Sequence, residues 1–208
     1  LSNGGNLARW LDATLRTPKR SELLSTIARL PADGHGLTVL PFLDGERSPD
    51  YRSDARAAIA GMSLSTTPEQ IVRAFLEAVS YRFGIIHDRL SGVMSNAADI
   101  IANGGAILNR PVWMKITADV LGQPLVPSDV SEATSRGAAL VALQSLGAID
   151  SIDTAPVRFG EPVQPDAADH HAYKLGAARQ ALLYQRLVEQ PLTASPSRPT
   201  ANESEQAS

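Results

Sequence analysis

Apolar residues recur along this chain at two spacings, and the alternation between them sketches an order of elements. Leu7, Trp10, Leu11 and Leu15 fall at helical intervals and predict a helix over Asn6 to Leu15. Ser21 is placed to cap a second, short helix through Leu30, which the turn Pro31-Ala32-Asp33-Gly34 ends. Leu37 to Leu40 predicts a buried strand emptying into the polar loop Asp44 to Asp50. The clearest signal follows. Thr67-Pro68-Glu69-Gln70 combines an N-cap, a proline at the first helical position and a glutamine three residues after the cap. Behind it, Ile71, Val72, Phe75, Leu76, Val79, Phe83, Ile86 and Leu90 form one stripe, predicting a helix of about six turns packed along a sheet.

The next unit alternates strand and helix. Ala98 to Asn103 predicts a short buried strand, Gly104-Gly105 the turn after it, and Asn109 a cap for a helix with Pro111 in its first turn. Val112, Trp113, Ile116 and Val120 make its inner face, and Gly122 stops it. A strand over Pro124 to Pro127 and a helix from about Ala133 to Gly147 follow, with Gly137-Ala138-Ala139 small enough for close backbone packing. A last helix, roughly Asp169 to Glu189, carries Tyr173, Leu182, Leu183 and Leu187. Strand, helix, strand and helix in this order predict an α/β fold with at least one parallel βαβ unit. From Gln190 the chain is rich in Ser, Pro, Thr and Ala, and residues 190–208 read as a disordered tail.

Composition narrows the function classes. The 208 residues are 43% hydrophobic and 20% charged with net charge −3, ordinary for one globular core and without the basic footprint of a nucleic-acid binder. No apolar run approaches the length of a membrane-spanning helix. With no cysteine, disulfides, thiolate metal sites and cysteine nucleophiles are excluded together. A cytoplasmic location is the expectation, with no membrane and no nucleic acid as partner. The abrupt start at Leu1, without initiator Met or signal pattern, is read as a fragment of a longer polypeptide.

Candidate chemistry is sparse. A strand ending in Gly104-Gly105 and opening on a helix lets backbone approach a flat or anionic ligand, because glycine has no Cβ in the way. Asn109 adds an amide with donor and acceptor on one edge, suited to a purine or ribose. A tight turn with a routine cap explains the same residues, and the GxGxxG spacing is absent. The loop Asp44-Gly45-Glu46-Arg47-Ser48-Pro49-Asp50 could bind metal or phosphate. It is better read as a solvated loop whose Glu46 and Arg47 neutralise each other or pair with Arg52 and Asp54. His35 lies in a Gly-flanked turn and His87 inside a helix. His170 and His171 diverge by about 100° and suit a solvated helix start rather than a metal site. No nucleophile–base pair, G-x-S-x-G, H-E-x-x-H or Walker A pattern is present.

Several segments, taken in order, resemble a known family. The run Leu40 to Pro49, then Asp54-Ala55-Arg56-Ala57, Ile59-Ala60-Gly61-Met62 and Arg73 to Val79 are similar to the C-terminal domain of FGGY carbohydrate kinases. So are Asn103-Gly104-Gly105-Ala106, Trp113, Ala118 to Gly122 and Gly137-Ala138-Ala139-Leu140. The resemblance covers roughly residues 1 to 189; within the family the loop and the Trp113 helix look closest to gluconokinase, with xylulokinase second.

The resemblance implies a ribonuclease H-like (actin/hexokinase-like ATPase) domain, the C-terminal half of a two-domain sugar kinase, lacking its first strands. It implies ATP and Mg2+, with transfer of the γ-phosphoryl to a hydroxyl of a sugar, polyol or sugar acid, gluconate favoured and xylulose next. The sugar and the aspartate base belong mainly to the N-terminal domain, so no catalytic residue is assigned here and the fragment alone is expected to be inactive. Gly105 and Asn109 match the adenosine turn and the amide near adenine, Gly104 the preceding glycine, and Gly5 and Arg9 the other side of the nucleotide pocket. Arg9 stands where glycerol kinase has glutamine, Ala57 replaces a glycine, and Phe75 a smaller residue. A non-catalytic actin-like module binding nucleotide or a partner is the alternative, and a homodimer stays open.

Overall fold

The computed structural model describes residues 3–93, 99–130 and 132–190. Helix α1 (Asn3–Thr14) buries Leu7 and Leu11 one turn apart and starts three residues before the expected position. Helix α2 (Arg20–Arg29) buries Leu23 and Ile27. Its N-cap is Lys19, with no side-chain cap bond, so Ser21 lies inside the helix and does not cap it. The helix stops as Leu30 turns extended ahead of Pro31, whose ring disfavours helical backbone at the preceding residue.

Strand β1 (Thr38–Leu40) pairs antiparallel with β2 (Ala58–Ala60), Val39 opposite Ile59. The second strand carries no sequence signal, being three residues long with alanine at two of them. Helix α3 (Pro68–Ser91) begins in a full capping box: Gln70 N–H donates to Thr67 Oγ1 at 3.3 Å and Thr67 N–H to Gln70 Oε1 at 2.9 Å. Its environment differs from the expectation. Residues 71–82 are buried on every face, because α2, β1, α5 and α7 surround this helix. It is the axis of the fold and not a helix laid along a sheet.

Strand β3 (Ile100–Ala102) leads through the single-turn α4 (Gly105–Leu108) and α5 (Pro111–Leu121) to β4 (Leu125–Pro127), which pairs parallel with β3 in the expected βαβ order. Gly122 ends α5 at φ +64°, and a Cβ there would meet the His170 ring at 2.7 Å, so both backbone and neighbour demand glycine. Helix α6 (Ala133–Ser145) buries no residue, and a Cβ on Gly137 would meet nothing within 4 Å. The close packing expected of Gly137-Ala138-Ala139 is therefore not made among the described residues.

Helix α7 (Ala167–Tyr184) continues into a π-turn over Gln185–Glu189. It starts two residues before Asp169 because the Asp166 carboxylate caps it, accepting from Ala168 N at 2.8 Å and Asp169 N at 3.1 Å. Its buried face is Tyr173, Gly176, Gln180 and Tyr184, whereas Leu182 and Leu187 are exposed. Polar-tipped residues face inward because the surface they meet on α3 is itself polar. The tail expected over 190–208 lies, beyond Gln190, outside the described residues.

Candidate functional site

The glycine turn after β3 is built so that only glycine fits at its first position. Gly104 has φ +94° and ψ 138°, and its N–H donates to Asn103 Oδ1 at 2.7 Å. A Cβ at Gly104 would meet no atom within 4 Å, and one at Gly105 would meet only Asn109 Nδ2, at 3.2 Å. The turn thus presents bare backbone with one amide at its edge. Asn109 closes α4 as its C-cap; α5 starts at Pro111 behind the N-cap Arg110, so the expected capping by Asn109 is not made. Among the described residues the Asn109 side chain makes no hydrogen bond, and its donors and acceptor remain uncommitted at an exposed position.

Helix α1, which carries Gly5 and Arg9, packs against α4. Gly5 and Arg9 lie one turn apart on α1; Arg9 is exposed and without hydrogen bond or ion pair among the described residues. The structure therefore joins α1 and α4 across an open surface. Two cavities adjoin it, and among the described residues neither is lined by Arg9, Gly104, Gly105 or Asn109. One, of ≈ 30 Å³, lies beneath α1 and includes Asp12, Arg20 and Arg110. The other, of ≈ 620 Å³, is an apolar cleft between β3 and the second half of α3, with Phe83, Ile86 and Leu90 in its wall.

The acidic loop is not the solvated loop expected. Glu46 is 3% exposed, bonded to Arg82 and accepting from Tyr184 Oη at 2.7 Å. The Arg82 guanidinium lies 4.8 Å from the Tyr184 ring centroid and 5.4 Å from that of Phe42, and Asp50 bridges Arg82 to Arg89. Arg52 and Asp54, expected as partners of Glu46 and Arg47, pair with each other instead; the hydrogen bond from Arg52 holds the exposed Asp54 carboxyl down to about 2. With Glu46 and Asp50 paired to arginines, the loop is a clamp between β1, α3 and α7.

A second cluster escaped the sequence altogether. Asp33, His35 and Glu77 bring three potential ligand atoms within 4.8 Å of one another. The hydrogen bonds decide against a metal. Leu37 N–H donates to His35 Nδ1 at 3.0 Å, which leaves the proton on Nε2 to donate to Glu77 Oε2 at 2.9 Å. Glu77 Oε1 takes Arg73 Nε at 2.6 Å and Tyr173 Oη at 3.2 Å, and Asp33 takes Arg179 at 2.5 and 2.7 Å. Each carboxylate oxygen of Asp33 and Glu77 already meets a protein donor. His170 also departs from expectation: half-buried, its Nδ1 lies 2.7 Å from the Asp119 carbonyl and closes the end of α5.

Glu77 makes stability depend on pH. Burial pushes its carboxyl up, but the hydrogen bonds from His35 and Arg73 and the Arg73 charge outweigh this and leave it below the ordinary glutamate range. Such a group stabilises the fold above its unfolded pKa of about 4.3 and loses that contribution as pH falls through the lower folded value. The stability difference between wild type and Glu77→Gln, measured by urea unfolding, should be largest near neutrality and shrink in acid. A difference constant from pH 7 to 3 would refute this.

Comparison with known proteins adds the remaining observations. The model for the FGGY family of carbohydrate kinases, C-terminal domain, matches residues 1–146. A glycerol kinase of Leptothrix cholodnii is 30% identical over 184 residues, covering 86% of this chain and 36% of that protein. A gluconokinase of Bacillus licheniformis is 29% identical over 98% of this chain and 40% of its own length. The crystal structure of xylulose kinase from Rhodospirillum rubrum superposes with TM-score 0.67 at 32% identity, over 88% of this chain and 37% of that one. The chain thus spans little more than a third of the length of these relatives.

Proposed function

The chain belongs to the FGGY family of carbohydrate kinases and has that family's ribonuclease H-like α/β fold, and from this we propose that it is the nucleotide-holding part of an ATP-dependent carbohydrate kinase. The observation that carries the reading is the bare turn at Gly104-Gly105, with the uncommitted Asn109 amide at its edge and Arg9 on the helix packed beside it. Backbone without Cβ admits the flat face of a purine nucleoside, and one amide can both donate to and accept from its edge. Gly5 and Arg9 supply the opposite wall across α1. The reaction is transfer of the γ-phosphoryl of MgATP to a substrate hydroxyl, which depends chiefly on positioning and charge stabilisation.

Asp33, His35 and Glu77 are wholly engaged by protein donors and do not fit Mg2+, which in this reading is held by the nucleotide phosphates. The acceptor is a sugar, polyol or sugar acid. Relatives bear the names glycerol kinase, gluconokinase and xylulose kinase. The likeness of the 40–49 segment and the Trp113 helix favours gluconate, then xylulose. Acceptor and catalytic base belong to the part of the relatives that this chain does not span, and the domain is taken as 1–189.

Asn109→Ala tests the site. Titration of ADP into the chain, followed calorimetrically, should show affinity weakened about tenfold, the worth of one well-made hydrogen bond in a binding site. Equal affinity in the variant and the wild type would remove Asn109 from the nucleotide.

A further inference from the structure

The small cavity beneath α1 has an unusual charge pattern. Its walls are mostly apolar, Leu11, Leu23 and Leu76 among them, and its polar members are Asp12 on α1, Arg20 at the first position of α2, and Arg110 just before α5. Among the described residues the two buried arginines, Arg73 and Arg82, each hold a carboxylate. Arg110, half-buried, holds none; one of its N–H groups donates to the Ala106 carbonyl at 3.0 Å. Among the described residues no hydrogen bond or ion pair joins the Arg20 or Asp12 side chain to a partner. Burial, and then the Arg20 charge, push the Arg110 guanidinium below its ordinary value, with Asp12 opposing. Two like charges are thus held at one cavity mouth with most of their donors unused.

We propose that Arg20 and Arg110 form an anion site that takes a phosphate-class oxyanion, either free phosphate or a nucleotide phosphoryl group. Two guanidinium forks can each bind such an anion through paired N–H···O bonds, and a dianion reverses the local repulsion that the empty site carries. Asp12 leaves a net charge of +1 for the trio, which favours anions without trapping them. Arg110 follows Asn109 directly, so a ligand on the open surface between α1 and α4 has the site within reach. The nucleotide version rests on the proposed nucleotide reading; the free-phosphate version does not.

The test uses the chain itself, with Arg20→Gln as the informative variant because Arg20 is exposed and its loss removes a repulsion. Phosphate is titrated at constant ionic strength against chloride while thermal unfolding is followed. Wild type should gain about 2–4 °C, saturably, as expected for a ligand that stabilises by about 1 kcal/mol. Arg20→Gln should unfold no earlier than wild type without phosphate and should lose the gain; Arg110→Gln should lose the gain as well. AMP and adenosine identify the source. AMP binding at least tenfold tighter than adenosine in wild type, with equal affinities in Arg20→Gln, assigns the site to a nucleotide phosphoryl group. Phosphate stabilisation with no AMP preference assigns it to the free anion. If adenosine fails to bind at all, the nucleotide reading fails while the phosphate gain still decides the anion site. No gain over chloride in wild type, or a full gain retained in Arg20→Gln, overturns the proposal.

Discussion

Glu77→Ala is expected to cost about 3–5 kcal/mol, because removing one partner of a buried ion pair leaves the other charged and unsolvated. The Glu77 side chain is fully enclosed and receives His35, Arg73 and Tyr173, with Tyr81 Oη further away at 3.4 Å. Arg73 stays tied to the Ile27 carbonyl at 2.5 Å and to Tyr173 Oη at 2.7 Å, so it cannot swing out to water when its carboxylate is removed. A loss of this size is a large fraction of the roughly 5–15 kcal/mol by which domains are stable. Glu77→Gln keeps the volume but not the charge and should also lose stability, by a smaller amount. Urea unfolding at pH 7 measures both; a loss below about 1 kcal/mol for Glu77→Ala would show that the network contributes little.

Trp113→Ala comes next, at about 3–5 kcal/mol, the range for truncating a large buried aromatic residue. Trp113 is 2% exposed in the seam between α5 and α3. Its indole N–H donates to Ser80 Oγ at 3.1 Å, and Ser80 also lies 3.0 Å from Thr117 Oγ1. Removing the indole opens a cavity and deprives the serine of a donor. Trp113→Phe isolates the second effect and should cost less than half as much. If both variants lost the same stability, ring volume would not be the cause.

Those two sites mark where sequence reading succeeds and where it stops. The Thr67 capping box, the Gly122 stop and the parallel β3–β4 pairing are legible because each depends on residues close in the chain or on an unbroken strand–helix–strand order. The position of Trp113 on an inner face is legible for the same reason. Partners far apart are not. Glu46 finds Arg82 and Tyr184, 36 and 138 residues away, so its local setting of charge and glycine looked solvated. On α7 apolar periodicity selected Tyr173, which is buried, and Leu183, which is half-buried, but also Leu182 and Leu187, which are exposed, and it missed the buried Gln180. At the glycine turn the sequence made Asn109 the cap of the following helix, whereas Asn109 is the C-cap of α4 and its side chain makes no hydrogen bond among the described residues.

The polar face of α7 also constrains synthesis. Gln180 Nε2 donates to the carbonyls of Val39, 141 residues earlier, and Ala78, 102 residues earlier, while Tyr173 and Arg179 complete the Arg73 and Asp33 pairs. On the ribosome, α3 emerges long before the helix that satisfies its polar groups, and such distant closures are slow. The nascent chain must therefore wait, with charged groups facing an unfinished interior, until α7 leaves the exit tunnel. Shortening the chain to the segment that matches the family, residues 1–146, would remove α7 and yield a product for proteases rather than a smaller domain.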